Sequence, residues 1–332
     1  MRAIEVAEDR SMIPVERADE PPGAGQVLVD VAYCGICGSD LHFRDVPELF
    51  PAGTVPGHEF SGRISELGDG VEGWSAGDRV TVLPFAQCGE CATCLAGNEQ
   101  VCPGAIPHGV GLGTGRPGAY AERVIVDARM LFALPDSVDD RAGAIVEPLA
   151  VAVRAVARAA APLDEPVLVL GAGPIGLLTA LVLRERGHEQ LAVVSRNPDR
   201  GRHAAALGLR TITIDEAASS QPPACVFECA GTPSAARLAV ELLRPLGKLM
   251  LVGVALEPLD LPAPPIIMKE LTIEGVLTYR RGEFAEAIDL LARGRIRADD
   301  VITDTVRLDK TEATFRMLTS PGNDHLKILI EP

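Results

Sequence analysis

The sequence predicts a two-domain α/β protein, with a doubly wound parallel sheet joined to a mostly-β unit. Three observations predict it. Residues 1–130 carry short apolar runs separated by Gly and other turn formers. From about residue 165 onward, apolar runs of four or five residues alternate with amphipathic segments. A Gly-rich turn lies at the first strand-to-helix junction of that second part. At 332 residues and 47% apolar, the chain has material for two buried cores.

In chain order, QVLVDVAYCG (26–35), FSGRISELG (60–68), DRVTVLP (78–84) and AERVIVD (121–127) read as short strands of the β-rich unit. DDRAGAIVEPLAVAVRAVARAA (139–160) has helical spacing and few turn formers. Then come strand PVLVL, turn GAGPIG and helix LLTALVLRERG, followed by strand LAVVS, helix DRGRHAAALG and strand TITID. ACVFECAG, SAARLAVELLRPLG and KLMLVGV continue the alternation. The tail, FAEAIDLLARGRI, VRLDKTEATFRML and HLKILIEP, reads as helices and edge strands outside that sheet. The expected division is 1–149, then 150–279, with 280–332 returning to the first domain.

Composition narrows the function classes. The net charge of −15, from 46 acidic and 31 basic residues, lacks the clustered positive footprint of a nucleic-acid surface. The N-terminal stretch MRAIEVAEDRSMIPVER has no signal-peptide apolar core, and no run of 18 apolar residues follows. The expectation is a soluble cytoplasmic protein without membrane or nucleic-acid partners. Six of the eight cysteines lie between Cys34 and Cys102, a clustering that favours metal binding over disulfides.

GAGPIG places Gly171, Gly173 and Gly176 in the G-x-G-x-x-G pattern after an apolar strand, with Pro174 and Ile175 opening the helix. Gly171 permits the tight turn, Gly173 lets the backbone approach a pyrophosphate, and Gly176 allows close helix–strand packing. This is the Rossmann arrangement, in which the helix N-terminus offers unpaired N–H groups to phosphate. The second strand of such a unit usually ends in a carboxylate that binds the ribose of NAD. Here Ser195 stands there, with Arg196 and Arg200 nearby. Arginines suit a 2′-phosphate, so the reading is NADP, with NAD possible. The local alternative is that Ser195 caps the turn and the arginines are solvated.

QCGECATCLAGNEQVC spaces Cys88, Cys91, Cys94 and Cys102 as four thiolates in one lobe, residues 86–104. Such a set closes a tetrahedral structural zinc site. An iron–sulfur cluster or a redox dithiol at Cys88 and Cys91 are the alternatives. A second, open set is Cys37 in CGICGSDLHFRD, His58 in VPGHEFSG and Glu147 in IVEPLAVA. Three such donors leave a position for water or substrate, although spacing alone does not bring them together.

These pieces resemble the zinc-containing alcohol dehydrogenases of the medium-chain dehydrogenase/reductase family, in its polyol and threonine dehydrogenase-like branch. The motifs CGICGSDLH, PGHEFSG, GDRVTV, the four-Cys lobe, GAYAERV, EPLAVA, GAGPIG and FECAGTP occur in family order across the chain. The resemblance implies a GroES-like catalytic domain beside the Rossmann domain, and two zinc ions per subunit. It implies that Cys37, His58 and Glu147 hold the catalytic zinc, with Glu59 as a neighbouring acid or alternate ligand. It further implies that Asp40 orients the zinc-binding His58, that Ser39 meets the substrate oxygen, and that His42 relays protons near the cofactor ribose. The four lobe cysteines match the structural zinc ligands. The family's acidic residue at the end of the second cofactor strand is absent, since Ser195 occupies it, so NAD use is not inherited.

The expected activity is hydride transfer between NADP(H) and a secondary alcohol or polyol, or the corresponding ketone. Alternatives are an NAD-dependent threonine- or amino-alcohol-type dehydrogenase, and a non-enzymatic nucleotide-binding protein. A homodimer or homotetramer is expected. Cys34, Cys225 and Cys229 read as packing residues. Residues 43–50, 106–116 and 276–282, including His108, Arg116, Tyr279 and Arg280, are candidate substrate contacts.

Overall fold

A computed structural model describes residues 1–113, 115–320 and 322–332. Thr114, inside the expected substrate loop 106–116, lies outside the described residues. The chain divides into two units, Met1–Glu147 with Arg280–Pro332, and Pro148–Tyr279. The first division falls inside the helix Val146–Ala159, directly after Glu147.

The first unit begins with strands β1 (Arg2–Val6), β2 (Met12–Glu16), β3 (Gln26–Gly35), β4 (Glu59–Leu67), β5 (Arg79–Val82), β6 (Arg123–Asp127) and β7 (Leu131–Ala133). The second unit carries β8 (Val167–Leu170), β9 (Leu191–Val194), β10 (Thr211–Ile212), β11 (Cys225–Glu228), β12 (Lys248–Leu251) and β13 (Thr272–Gly275). The last two strands, β14 (Ile302–Arg307) and β15 (Lys327–Glu331), belong to the first unit. Its main sheet runs β14-β15-β3-β4-β5-β7, with β6 pairing the N-terminal half of β3. The sheet of the second unit is parallel throughout, in the order β10-β9-β8-β11-β12-β13.

Burial explains both patterns. In the second unit VLVL, LAVV and CVFE are buried at every position, as strands covered on both faces must be. In β6, buried and half-buried positions alternate, as on a sheet with one face to the core. Phe60, Tyr120, Phe315 and Ile328 sit in the core of the first unit. Leu168, Val226, Val240 and Leu249 form the core of the second.

Three local readings change. TITID is a strand only over Thr211–Ile212, because Thr213 caps the helix Ile214–Ser219 and its hydroxyl accepts the Glu216 N–H at 3.2 Å. The long apolar segment after residue 139 splits into Asp140–Gly143 and Val146–Ala159, and the Asp139 carboxylate accepts the Ala142 N–H at the start of the first piece. HLKILIEP does not form an edge. β15 runs parallel to β14 on one side and antiparallel to β3 on the other, and Ile328, Leu329 and Ile330 are fully buried.

Candidate metal centres and coenzyme turn

Strand register builds the first site. Gly35, the last residue of β3, pairs with Glu59, the first of β4, and with Leu329 of β15. The chain beyond β3 therefore delivers Cys37 beside His58, Glu59 and Lys327. Donor atoms of Cys37, His58 and Glu59 all lie within 4.8 Å of one another. A metal at about 2.0–2.3 Å from N, O and S donors requires separations of this order. Glu147, in the first turn of its helix, stands outside that tight group, yet its charge acts on both His58 and Lys327. It is 5% exposed.

Asp40 is fully buried and divides its two oxygens. Oδ2 accepts the Cys37 N–H at 3.0 Å and the Tyr120 hydroxyl at 2.7 Å, while Oδ1 faces His58 Nδ1 at 3.5 Å. That leaves the other imidazole nitrogen, Nε2, for a ligand. Burial works against a charged His58, but Asp40, Cys37 and Glu147 outweigh it and raise its pKa well above the usual range. Burial also raises Asp40, partly offset by His58 and the Tyr120 hydrogen bond. The Tyr120 phenol is pushed well up by burial and the Asp40 charge, so it remains a donor.

Lys327 is the main charged group that sequence reasoning missed. Its Nζ donates to Glu59 Oε1 at 2.8 Å, Glu59 Oε2 at 2.6 Å and the Ile36 carbonyl at 2.8 Å. Both partners are almost fully buried. Burial disfavours the ammonium, but Glu59 and its acidic neighbours overcome this and raise the lysine pKa. Gly35 makes room for the pair. A β-carbon there would strike the Glu59 carboxylate and come within 3.3 Å of the lysine Cδ.

Ser39 and His42 lie one turn apart on the helix Gly38–Phe43, the first half-buried and the second exposed. Of the other candidate substrate contacts, Arg116 is engaged by Asp127 at 2.7 Å and Tyr279 is fully buried. Cys34 is buried, and burial raises its thiol pKa.

In the lobe, the sulfur of Cys88 lies 4.0 Å from that of Cys94 and 3.6 Å from that of Cys102, while Cys91 and Cys102 are 3.8 Å apart. A zinc–sulfur tetrahedron with bonds of about 2.3 Å has edges of about 3.8 Å. These sulfurs fit that figure, and they are too far apart for a disulfide bond of about 2.05 Å. The Thr93 hydroxyl helps lower the Cys91 thiol to about 6, whereas burial raises Cys94 to about 12.

The lobe also grips the start of the helix Arg281–Ala292. Arg280 donates to Asn98 Oδ1 at 2.8 Å and to Gln100 Oε1 at 3.3 Å. The Arg281 N–H donates to Glu99 Oε1 at 3.0 Å, and its guanidinium lies 4.5 Å over the Phe132 ring.

In the second unit, helix Pro174–Glu185 starts from Gly173 with Pro174 and Ile175 in its first turn. Gly171 has φ of +106°, and a β-carbon at Gly176 would collide with the Gly171 carbonyl. A β-carbon at Gly173 would meet only Arg200 Nη1, at 3.9 Å, so the turn is open on that side. Ser195 Oγ donates to the Asn197 carbonyl at 2.8 Å, and Asn197 rather than Ser195 caps the helix Pro198–Ala206. Arg196 is exposed.

Residues 23–136 match the alcohol dehydrogenase GroES-like domain, and residues 174–293 match the zinc-binding dehydrogenase domain. A sorbitol dehydrogenase from Halalkalibacterium halodurans is 32% identical over 330 residues, covering 96% of this chain and 94% of the relative. An L-threonine 3-dehydrogenase from Pectobacterium atrosepticum is 28% identical, covering 90% of this chain and 85% of its own length. Among solved structures, the alcohol dehydrogenase RspB from Escherichia coli, complexed with NADH, superposes with a TM-score of 0.91 at 29% identity, covering 100% of this chain and 99% of that one. A zinc-binding dehydrogenase from Sinorhizobium meliloti, bound to NADP, gives 0.89 at 27%, with the same coverage. The paired domains, the register that assembles Cys37 with His58 and Glu59, and this full-length similarity lead to one conclusion: the chain belongs to the zinc-binding medium-chain dehydrogenase/reductase family, related to polyol- and threonine-type dehydrogenases.

Proposed function

We propose that this protein is a zinc-dependent oxidoreductase that moves a hydride between a nicotinamide coenzyme and a secondary alcohol or polyol, or the matching ketone. The observation that carries the reading is the group of half-buried Cys37 with buried His58 and Glu59, and Asp40 set against His58. Cys37, His58 and Glu147 would hold one zinc, with Glu59 as the neighbouring acid. The lobe cysteines would hold a second. Zinc in the first site would supply Lewis acidity toward a substrate oxygen. Asp40 keeps His58 oriented, Ser39 would accept the substrate hydroxyl proton as it gives up its own, and His42, exposed one turn along the same helix, would release a proton to solvent. Gly171, Gly173 and Gly176, with the N–H groups of Ile175 and Gly176 in the first turn of the helix, would seat the coenzyme pyrophosphate.

On coenzyme choice, Ser195 in place of a carboxylate, with Arg196 and Arg200 beside it, supports NADP. A second reading is an NAD-dependent threonine- or amino-alcohol-type dehydrogenase. It is favoured by the threonine dehydrogenase relative and the NADH-bound RspB structure. Titrating the zinc-loaded protein with NADPH and NADH, then assaying polyols and amino alcohols, separates the two. Failure to bind either coenzyme overturns both. A dimer or tetramer is part of the proposal, and sedimentation of the purified chain tests it.

A further inference from the structure

We infer that Tyr120 is a positioning residue of the candidate catalytic metal centre, its hydroxyl fixing Asp40 and its ring seating the turn that carries His58. The inference rests on the reading that Cys37, His58 and Glu147 hold a metal. Two independent sets of contacts support it.

The first set is polar. Tyr120 donates to Asp40 Oδ2 at 2.7 Å, and the same oxygen accepts the Cys37 N–H at 3.0 Å. Two directional donors on one oxygen stop the carboxylate from rotating, so Oδ1 stays aimed at His58 Nδ1. Without the hydroxyl, Oδ2 keeps a single bond and Oδ1 loses its fixed aim.

The second set is steric. Gly57, which precedes His58, has φ of +104°, and a β-carbon there would lie 2.6 Å from the Tyr120 ring and 2.8 Å from its backbone nitrogen. The Tyr120 N–H donates to the Pro56 carbonyl at 2.9 Å, and the Ala119 N–H donates to the Gly57 carbonyl at 2.9 Å. Phe315 meets the tyrosine ring edge-on, with centroids 6.1 Å apart. One buried residue, distant in sequence from both, therefore touches the segment of Cys37 and Asp40 and the segment of His58.

Tyr120→Phe separates the two roles, because it keeps the ring and removes the hydroxyl. The zinc-loaded protein is challenged with a chelator, and the cysteine lobe serves as an internal reference. The expected result is selective loss of one metal, with affinity about 10- to 100-fold lower at that site, while the lobe metal is retained as in the wild type. With cobalt in the first site, the visible ligand-field bands should shift. In the Asp40→Asn background the same substitution should add nothing. Unchanged metal retention and cobalt spectrum overturn the inference. So does parallel loss of both metals with a lowered melting temperature, or an additive effect with Asp40→Asn. If the wild type holds only the lobe metal, the metal-centre reading itself fails, and this inference falls with it.

Discussion

Replacing Lys327 with Met tests how the floor of the candidate metal centre is held. The substitution removes the ammonium that both Glu59 oxygens and the Ile36 carbonyl share, at 2.6–2.8 Å. Glu59 is 1% exposed, so water cannot replace the lost partner. Leaving a buried charge unpaired costs about 3–5 kcal/mol. At about 2.1 cal/mol/K per residue over the roughly 200 residues of the first unit, this lowers its melting temperature by about 7–12 °C. Calorimetry on the metal-free protein gives the shift. Glu59→Gln combined with Lys327→Met removes both charges and should recover most of it. The sign with pH is also determined. The folded-state pKa of Lys327 is raised, so its contribution is fully present below the unfolded lysine value of about 10.4 and fades as pH climbs through the higher folded value. Wild-type stability should therefore fall in strong alkali, and the Lys327→Met variant should show less of that fall. A single variant that melts within about 2 °C of wild type, with no recovery in the double, refutes the reasoning.

Other expectations follow from the same geometry. Arg196→Ala should weaken NADPH binding about tenfold, the worth of one charge-assisted contact, and leave NADH binding nearly unchanged. Ser195→Asp should move preference toward NADH, read by fluorescence titration of both coenzymes. Gly176→Ala forces a β-carbon into the Gly171 carbonyl and should abolish binding of either coenzyme. Stripping the lobe metal should speed hydrogen exchange at the start of the helix Arg281–Ala292, because Asn98, Glu99 and Gln100 hold Arg280 and Arg281 only while the lobe keeps its shape.

Much of the fold was legible in the sequence because its signals are local. Apolar runs of four set the parallel strands, the three glycines marked the first strand–helix turn, and the cysteine spacing marked the lobe. The register that brings Cys37 to His58 is not local. It depends on Gly35 facing Glu59 across two strands, and spacing carries no trace of that pairing. Tyr120 and Asp40 lie 80 residues apart, and Arg280 and Asn98 lie 182 apart. The one available hint of the Lys327 pair was a lysine heading the otherwise apolar run KILI, one of only four lysines in the chain. TITID misled for a different reason. A strand-like apolar pattern yielded to a threonine whose hydroxyl caps the next helix.

In the proposed function, one chain pairs a zinc centre with a pyrophosphate turn whose neighbouring arginines favour the 2′-phosphate of NADP. Calorimetric titration of the two-zinc protein with NADPH and NADH, in wild type and in Arg196→Ala, tests it most directly. Wild type should bind both coenzymes, NADPH at least about tenfold tighter, and Arg196→Ala should remove the difference. Wild-type protein that binds neither coenzyme, or that binds NADH more tightly with no response to Arg196→Ala, would contradict it.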